Sequence, residues 1–302
     1  MPPVRAICAI LIILGHFSYF GVSGMAFLRV LAPVCVSLFL FISGYGLMVS
    51  YQKKGKVYLQ TFFKNRLLKI VIPAVFVALL HLLLHKGDGV GILERSKLIF
   101  TKGATLLPHY WFVWAILFDY LVFWLSCRFV SGKWQKWTVL LCSLAFMVAT
   151  YSAGFDRCWW VCSLAFPTGL FFAAYKSSIY SFCSKRNINF FLALTLCGLL
   201  FIGLFLTGNP MCWSLCYVFI PATAALIIAR LPLDRFKLPI LRFLGAISYE
   251  LFLTHITVMS FLRGNLIYIS PNALFVASVL FLTLGLAYGL HILCKLITPT
   301  TK

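Results

Sequence analysis

Arg5-Ala-Ile-Cys-Ala-Ile-Leu-Ile-Ile-Leu-Gly-His16 sets two ionisable residues eleven positions apart, with only apolar or small residues between them. As an α-helix, eleven residues turn through about 20° more than three full turns and rise roughly 16 Å, so Arg5 and His16 share one face. The length and apolarity suit a membrane span. An ionisable group inside such a span costs about 2.5–3.5 kcal/mol on insertion scales, so it faces protein or a wet cavity and marks a candidate functional site.

The rest of the chain carries the same signature. Of 302 residues, 62% are hydrophobic, 17% aromatic and only 11% charged, with mean hydropathy +0.99. A soluble domain carries roughly 25% charged residues. About twenty mainly apolar residues cross roughly 30 Å of hydrocarbon. Ten stretches qualify as candidate spans, at approximately 4–22, 29–50, 70–86, 109–127, 138–151, 159–175, 188–207, 212–230, 244–262 and 274–294. The fifth is the shortest. The expected fold is all-α, a polytopic membrane helix bundle of about ten transmembrane helices forming one integral membrane domain over residues 1–302. The basic start, apolar stretch and small residues near Ser23 and Gly24 imitate a cleavable signal peptide. A histidine within the stretch and nine later spans make it a signal anchor instead.

Lysine and arginine orient the bundle, because short cytoplasmic loops are enriched in them. With the N-terminus inside, nineteen of the 26 basic residues fall on the cytoplasmic side, and both termini are cytoplasmic. The formal charge of +20 is thus mainly a topology signal. Anionic membrane lipid is one partner, and an anionic substrate is a second. Cations spread over several short loops give no basic face for nucleic acid. Eleven cysteines lie scattered without metal-ligand spacing and read as small core residues. Cys158 and Cys212, near outer loop ends, would pair only if the outside is oxidising.

The most basic stretch, Tyr51 to Pro73, follows the second span. Lys64, Arg66 and Lys69 lie within two turns just ahead of the next span. They suit an interfacial helix with snorkelling side chains, or a clamp for the phosphates of a cytosolic anionic substrate. In Phe39-Leu-Phe-Ile-Ser43-Gly44-Tyr45-Gly46, small residues among bulky ones allow close helix packing or leave room for a ligand arm.

Polar residues recur in later spans. Pro108-His109-Tyr-Trp111-Phe-Val-Trp114 forms an aromatic belt at the outer entry of the fourth span, and Asp119 follows inside it. A carboxylate there needs a cationic or hydrogen-bonding partner, and serves a structural pair or the chemistry. In the ninth span, Ser248 and His255 share one face while Glu250, Thr254 and Thr257 form another, which predicts a helix buried in the bundle. Glu250 is the favoured partner of Arg5, or else an interhelical contact. His81 and His85 have i, i+4 spacing, but the nearby acids Asp88 and Glu94 sit in a loop, so no metal is expected. His291 reads as interfacial.

Arg5-x10-His16, Leu38-Phe-Leu-Phe-Ile-Ser43-Gly44-Tyr45, Phe63-Lys-Asn-Arg66-Leu-Leu-Lys69 leading to Pro73, Trp111-Phe-x-Trp114, and Leu244-Gly-x-Ile-Ser-Tyr249 leading to His255 stand in this order along the chain. Together they resemble the acyltransferase 3 family of integral membrane acyltransferases, which modify cell-surface carbohydrates in bacteria. The resemblance covers nearly the whole chain. It implies that His16 and Arg5 are required for activity and that the basic pair before the third span meets acyl-CoA. Lys69 stands where arginine is common, which keeps the charge and loses the bidentate fork. Trp111-Phe-Val-Trp and Asp119 stand where many relatives have a Trp-Ser-Leu motif with glutamates.

The implied activity is O-acylation, with acetyl the implied group, from cytosolic acyl-CoA to a hydroxyl of an extracytoplasmic glycan or glycolipid, in the cytoplasmic membrane of a bacterium. On this reading Lys64, Arg66, Lys69 and Arg5 hold the CoA phosphates, and the pantetheine arm enters past Ser43 and Gly44. His16 acts as general base or transient acyl carrier. Glu250, His255, Asp119 and Trp111 are the supporting polar and aromatic residues. A transporter or flippase for polysaccharide or lipid-linked sugar is the alternative, since charged residues in spans also line substrate paths. An inactive partner in a glycan-assembly complex is a third reading. Against transport, the sequence shows neither an internal repeat nor paired broken helices.

Overall fold

A computed structural model describes residues 2–84, 97, 103, 105, 107, 109–230, 238–264 and 267–298. Those residues are helical almost throughout. In order the helices are α1 (Pro2–His16), α2 (Ala32–Lys54), α3 (Val57–Gln60), α4 (Leu68–Leu84), α5 (Trp111–Phe129), α6 (Trp134–Ser152), α7 (Arg157–Trp160), α8 (Ala165–Ala174), α9 (Lys176–Lys185), α10 (Asn187–Leu206), α11 (Pro210–Arg230), α12 (Pro239–Ala246), α13 (Ser248–Leu262) and α14 (Asn272–Ile297). Two 3-10 segments, Phe17–Phe20 and Ser23–Leu31, join α1 to α2, and a π-helical turn, Phe63–Leu67, leads into α4.

Among the described residues, seven helical stretches are long and apolar enough to cross a membrane, or nine if each of two bent pairs is one crossing. The chain is a polytopic membrane bundle. The difference from ten lies in α6, a 19-residue helix that is not among the candidate spans. Lys136, Ser143 and Thr150 are buried along it, so its apolar character is interrupted where it packs. The expected span 244–262 is bent, with α12 turning by 70° into α13, and the expected span 159–175 ends at a bend, where α7–α8 turn by 73° into α9. Outward faces carry large apolar side chains, among them Phe129, Leu206 and Phe281. In hydrocarbon such faces need no protein cover.

The contacts form two compact units. One comprises Met1–Cys35, Thr61–Leu117 and Pro239–Lys302, the other Val36–Gln60 and Phe118–Leu238. In the first, α1 packs against α12 and α13, α13 against α14, and α4 against both α13 and α14. Its core gathers Ile13, Phe17, Ile247, Leu251, Met259, Phe275 and Val279. The buried stripe of α1 runs Ala6, Ala9, Ile12, Ile13 and ends on His16, at helical spacing. The polar side chains of the predicted stripes on α13 are buried: Ser248, Glu250, Thr254, His255 and Thr257. The buried ninth helix expected from two polar faces is therefore present.

In the second unit, α8 packs on α6 and α11, and α10 pairs with α11. Gly44 of α2 and Gly169 of α8 mark a crossing where the backbones touch. A Cβ on Gly44 would run into the Phe166 carbonyl, and one on Gly169 into the Phe41 carbonyl. Small residues in membrane helices permit such approach. Packing thus accounts for Gly44.

Candidate active site

The end of α1 meets α13 and the residues just ahead of α5. His16 closes α1, His255 sits two turns into α13, and His109 precedes α5, where its carbonyl accepts the Phe112 N–H. All three belong to the first unit. One nitrogen from each ring lies within 4.8 Å of one from each of the others. The ring centroids of His16 and His109 are 4.2 Å apart, those of His16 and His255 5.1 Å, and the His109 and His255 rings stack at 5.8 Å and 7°. His255 is fully buried and His16 nearly so, while His109 is partly exposed. Beside His109 a small pocket opens between Leu107, Tyr110, Phe252, Leu253 and Ile256. Tyr110 is held there by its hydroxyl, which donates to the Ala74 carbonyl at 2.6 Å.

Hydrogen bonds define the tautomers of the neutral rings. His255 Nδ1 faces the Leu251 carbonyl, one turn back, at 3.2 Å. A carbonyl oxygen only accepts, so Nδ1 carries the proton and Nε2 is the acceptor. His255 Nε2 lies 3.1 Å from His16 Nδ1. His16 Nδ1–H is therefore the donor across that gap, and its Nε2 keeps a lone pair. A carbonyl, an imidazole and a second imidazole stand in one chain, ending in a nitrogen able to take a proton. Tyr19 stacks on His16 at 5.8 Å, and the Arg29 guanidinium lies over Tyr19 at 4.5 Å.

The other end of α1 lies against the α12–α13 bend. Gly245 approaches so closely that a Cβ there would collide with the Pro2 carbonyl. The Ser248 hydroxyl donates to the Gly245 carbonyl at 3.1 Å, and the Tyr249 hydroxyl donates to the Ile70 carbonyl at 3.0 Å. The bend thus ties the start of α1 to the start of α4. Arg5 lies on α1, partly buried, and Lys69 is adjacent to Ile70 and within electrostatic reach of Arg66. Lys64 and Arg66 occupy the π-helical turn, with Lys64 exposed and Arg66 partly buried. Arg5, Lys64, Arg66 and Lys69 all belong to the unit that holds the histidines, with Arg5 and His16 roughly 16 Å apart along α1.

The other candidate residues take these positions. Glu250 Oε1 accepts from His291 Nδ1 of α14 at 2.7 Å, an interhelical contact of the kind the sequence offered for it. His291 is correspondingly half-buried, with 19% of its side chain exposed, and joins α14 to α13. Asp119 is buried in the second unit. Among the described residues it has no cationic partner. Trp111 is buried at the start of α5, edge-on to Phe112. Ser43 and Gly44 belong to the second unit, at the packed crossing of α2 and α8. Cys158 and Cys212 do not pair, and all eleven cysteines are free thiols. His85, Asp88 and Glu94 lie outside the described residues.

Sequence reading placed His109 only in an aromatic belt. Its functional company comes from residues 93 positions before and 146 after it in the chain. The signal available was a third histidine at the edge of an apolar span.

Comparison with curated proteins and with solved structures finds no match. The acyltransferase domain of the acyltransferase 3 family matches residues 4–292, nearly the whole chain. The stretch includes α1, the π-helical turn and the α12–α13 bend, and the chain belongs to the acyltransferase 3 family.

Proposed function

We propose that the protein moves an acyl group, acetyl in the first instance, from cytosolic acyl-CoA to a hydroxyl of an extracytoplasmic glycan or glycolipid. The observation that carries the reading is the His16–His255 contact in a chain of an acyltransferase family. It leaves His16 Nε2 with an available lone pair on a ring whose other nitrogen is already engaged.

In the reaction, Nε2 of His16 takes the proton of the acceptor hydroxyl as its oxygen attacks the thioester carbonyl. A C–O bond forms, the C–S bond breaks, and the CoA thiolate leaves with the proton that His16 returns. His255 holds the imidazole in the required tautomer and stabilises the imidazolium that forms, as the third group of a triad does. A two-step route, with the acyl group resting on His16, uses the same nitrogen. Arg5, Arg66, Lys69 and Lys64 supply positive charge for the CoA phosphates, and the length of α1 separates that charge from the reacting imidazole. We place this end at the cytoplasmic face and His16 in the outer half, following the positive-inside distribution. With both termini inside, the number of crossings is even, and α6 supplies the tenth. The chain acts as one acyltransferase domain, in the cytoplasmic membrane of a bacterium.

The test is purified protein incubated with radiolabelled acetyl-CoA, with and without a surface polysaccharide. Acceptor-dependent release of CoA that disappears in His16→Ala supports the reading. Uptake of a labelled glycan into vesicles without thioester cleavage would establish the transporter instead.

A further inference from the structure

Three imidazoles from three separate chain segments converge on one spot, which a hydrogen-bonded pair does not require. His109 adds a third ring to the His16–His255 contact, and no carboxylate or thiol joins the group among the described residues. We infer that His16, His109 and His255 form a binding site for a divalent transition-metal cation of the zinc class.

The donor set fits. Neutral imidazole nitrogen is the commonest metal ligand, and three histidines with one open position match the tetrahedral sites at which zinc keeps a position for water or substrate. With zinc–nitrogen bonds of about 2.0–2.1 Å, the ligand nitrogens of a tetrahedral site stand roughly 3.4 Å apart. His16 Nδ1 and His255 Nε2 are already at 3.1 Å, and all three donors lie within 4.8 Å. Closing the rest takes shifts on the order of an ångström, within the broad χ2 range of histidine. His255 has the outer partner that ligating histidines need, since its remaining nitrogen donates to the Leu251 carbonyl. Entry runs past His109, the least buried of the three and a wall of the small pocket. Three neutral ligands leave the cation's charge uncompensated, so the open position takes an anion such as hydroxide.

Metal and proton compete for the same atoms. With the cation on Nδ1 of His16, the ring's single proton moves to Nε2 and the lone pair is gone. This consequence rests on the acyl-transfer reading, whereas the binding site itself does not.

The test uses the full-length protein in detergent, stripped with chelator and titrated with Co²⁺ alone. The expected result is one Co²⁺ per chain, the strong visible absorption of tetrahedral cobalt, and displacement by Zn²⁺. His16→Gln, His109→Gln and His255→Gln should each weaken binding by more than the roughly 10–100-fold that loss of an outer partner costs. His81→Ala should leave it unchanged. Thermal melting and gel-filtration profiles select variants that have kept their fold. No saturable 1:1 binding, an octahedral spectrum, or binding that survives replacement of all three histidines overturns the site. In the acyl-transfer assay the Zn²⁺-loaded protein should run at least about 10-fold slower than the stripped one, with chelator restoring the rate. Equal rates overturn the competition. A protein that binds Co²⁺ at these histidines but transfers nothing in either state counts against the acyltransferase reading and upholds the metal site.

Discussion

His16 Nδ1 and His255 Nε2 lie 3.1 Å apart although 239 residues separate them in the chain. Because His255 Nδ1 is committed to the Leu251 carbonyl, the direction of this hydrogen bond is set, and so is the nitrogen of His16 that remains available. Its consequences can be measured separately from those of the cationic end of α1.

Replacing His16 by alanine should lower turnover by roughly 10²–10⁴-fold, the range for loss of a positioned general base. The affinity for acyl-CoA should barely change, since the charges assigned to it lie at the other end of α1. Steady-state kinetics with acyl-CoA as the varied substrate, beside direct binding of a non-hydrolysable analogue, measure both. Near wild-type turnover would remove His16 from the chemistry.

His255 acts through His16, so its loss should appear in kcat and spare KM for acyl-CoA. We expect His255→Ala to cost about 10–100-fold in kcat, less than His16→Ala, because a base in the wrong tautomer still samples the right one. In the His16→Ala background the second substitution should cost little more, since residues acting as a unit are not additive. A KM effect of similar size would assign His255 to binding.

For the proposed phosphate clamp, Arg66→Ala and Lys69→Ala should raise KM for acyl-CoA, with a penalty that shrinks as ionic strength rises, because salt screens the attraction that was lost. Lys69→Arg should retain or improve binding, since it keeps the charge and adds a fork able to grip a phosphate. Titration at two salt concentrations decides this, and unchanged affinity on losing Arg66 would take it out of the site.

The Glu250–His291 contact spans α13 and α14 with both side chains largely covered. A double-mutant cycle with Glu250→Gln and His291→Gln should give a coupling of about 0.5–3 kcal/mol in detergent unfolding. Strict additivity would show that the two groups do not interact in solution.

At the α2–α8 crossing, Gly44→Leu or Gly169→Leu drives a side chain into a carbonyl and should cost about 1–3 kcal/mol or more, read as a lowered melting temperature. Gly198 on α10 has open space where a Cβ would stand, so Gly198→Ala should be neutral or stabilising by up to about 1 kcal/mol. A Gly44→Leu protein as stable as wild type would show that the helices do not touch there.

The sequence alone determined the helical membrane bundle, the placing of most spans to within a few residues, the burial of the Ser248–His255 helix and the family. These follow from local physics: apolar length, helical periodicity and the cost of polar groups in hydrocarbon act over tens of residues. It also marked His16 and His255 as costly to bury, and therefore notable. The weaker helix α6 and the bends at Ile247 and Tyr175 were harder to read, because they depend on which polar residues find partners inside the bundle. The tertiary structure alone joined His109 to His16 and His255, set Glu250 against His291, buried Asp119, and turned Gly44 into a packing contact. Each of those depends on which helix faces which, a long-range choice made by the summed packing of the bundle and written in no single stretch of sequence.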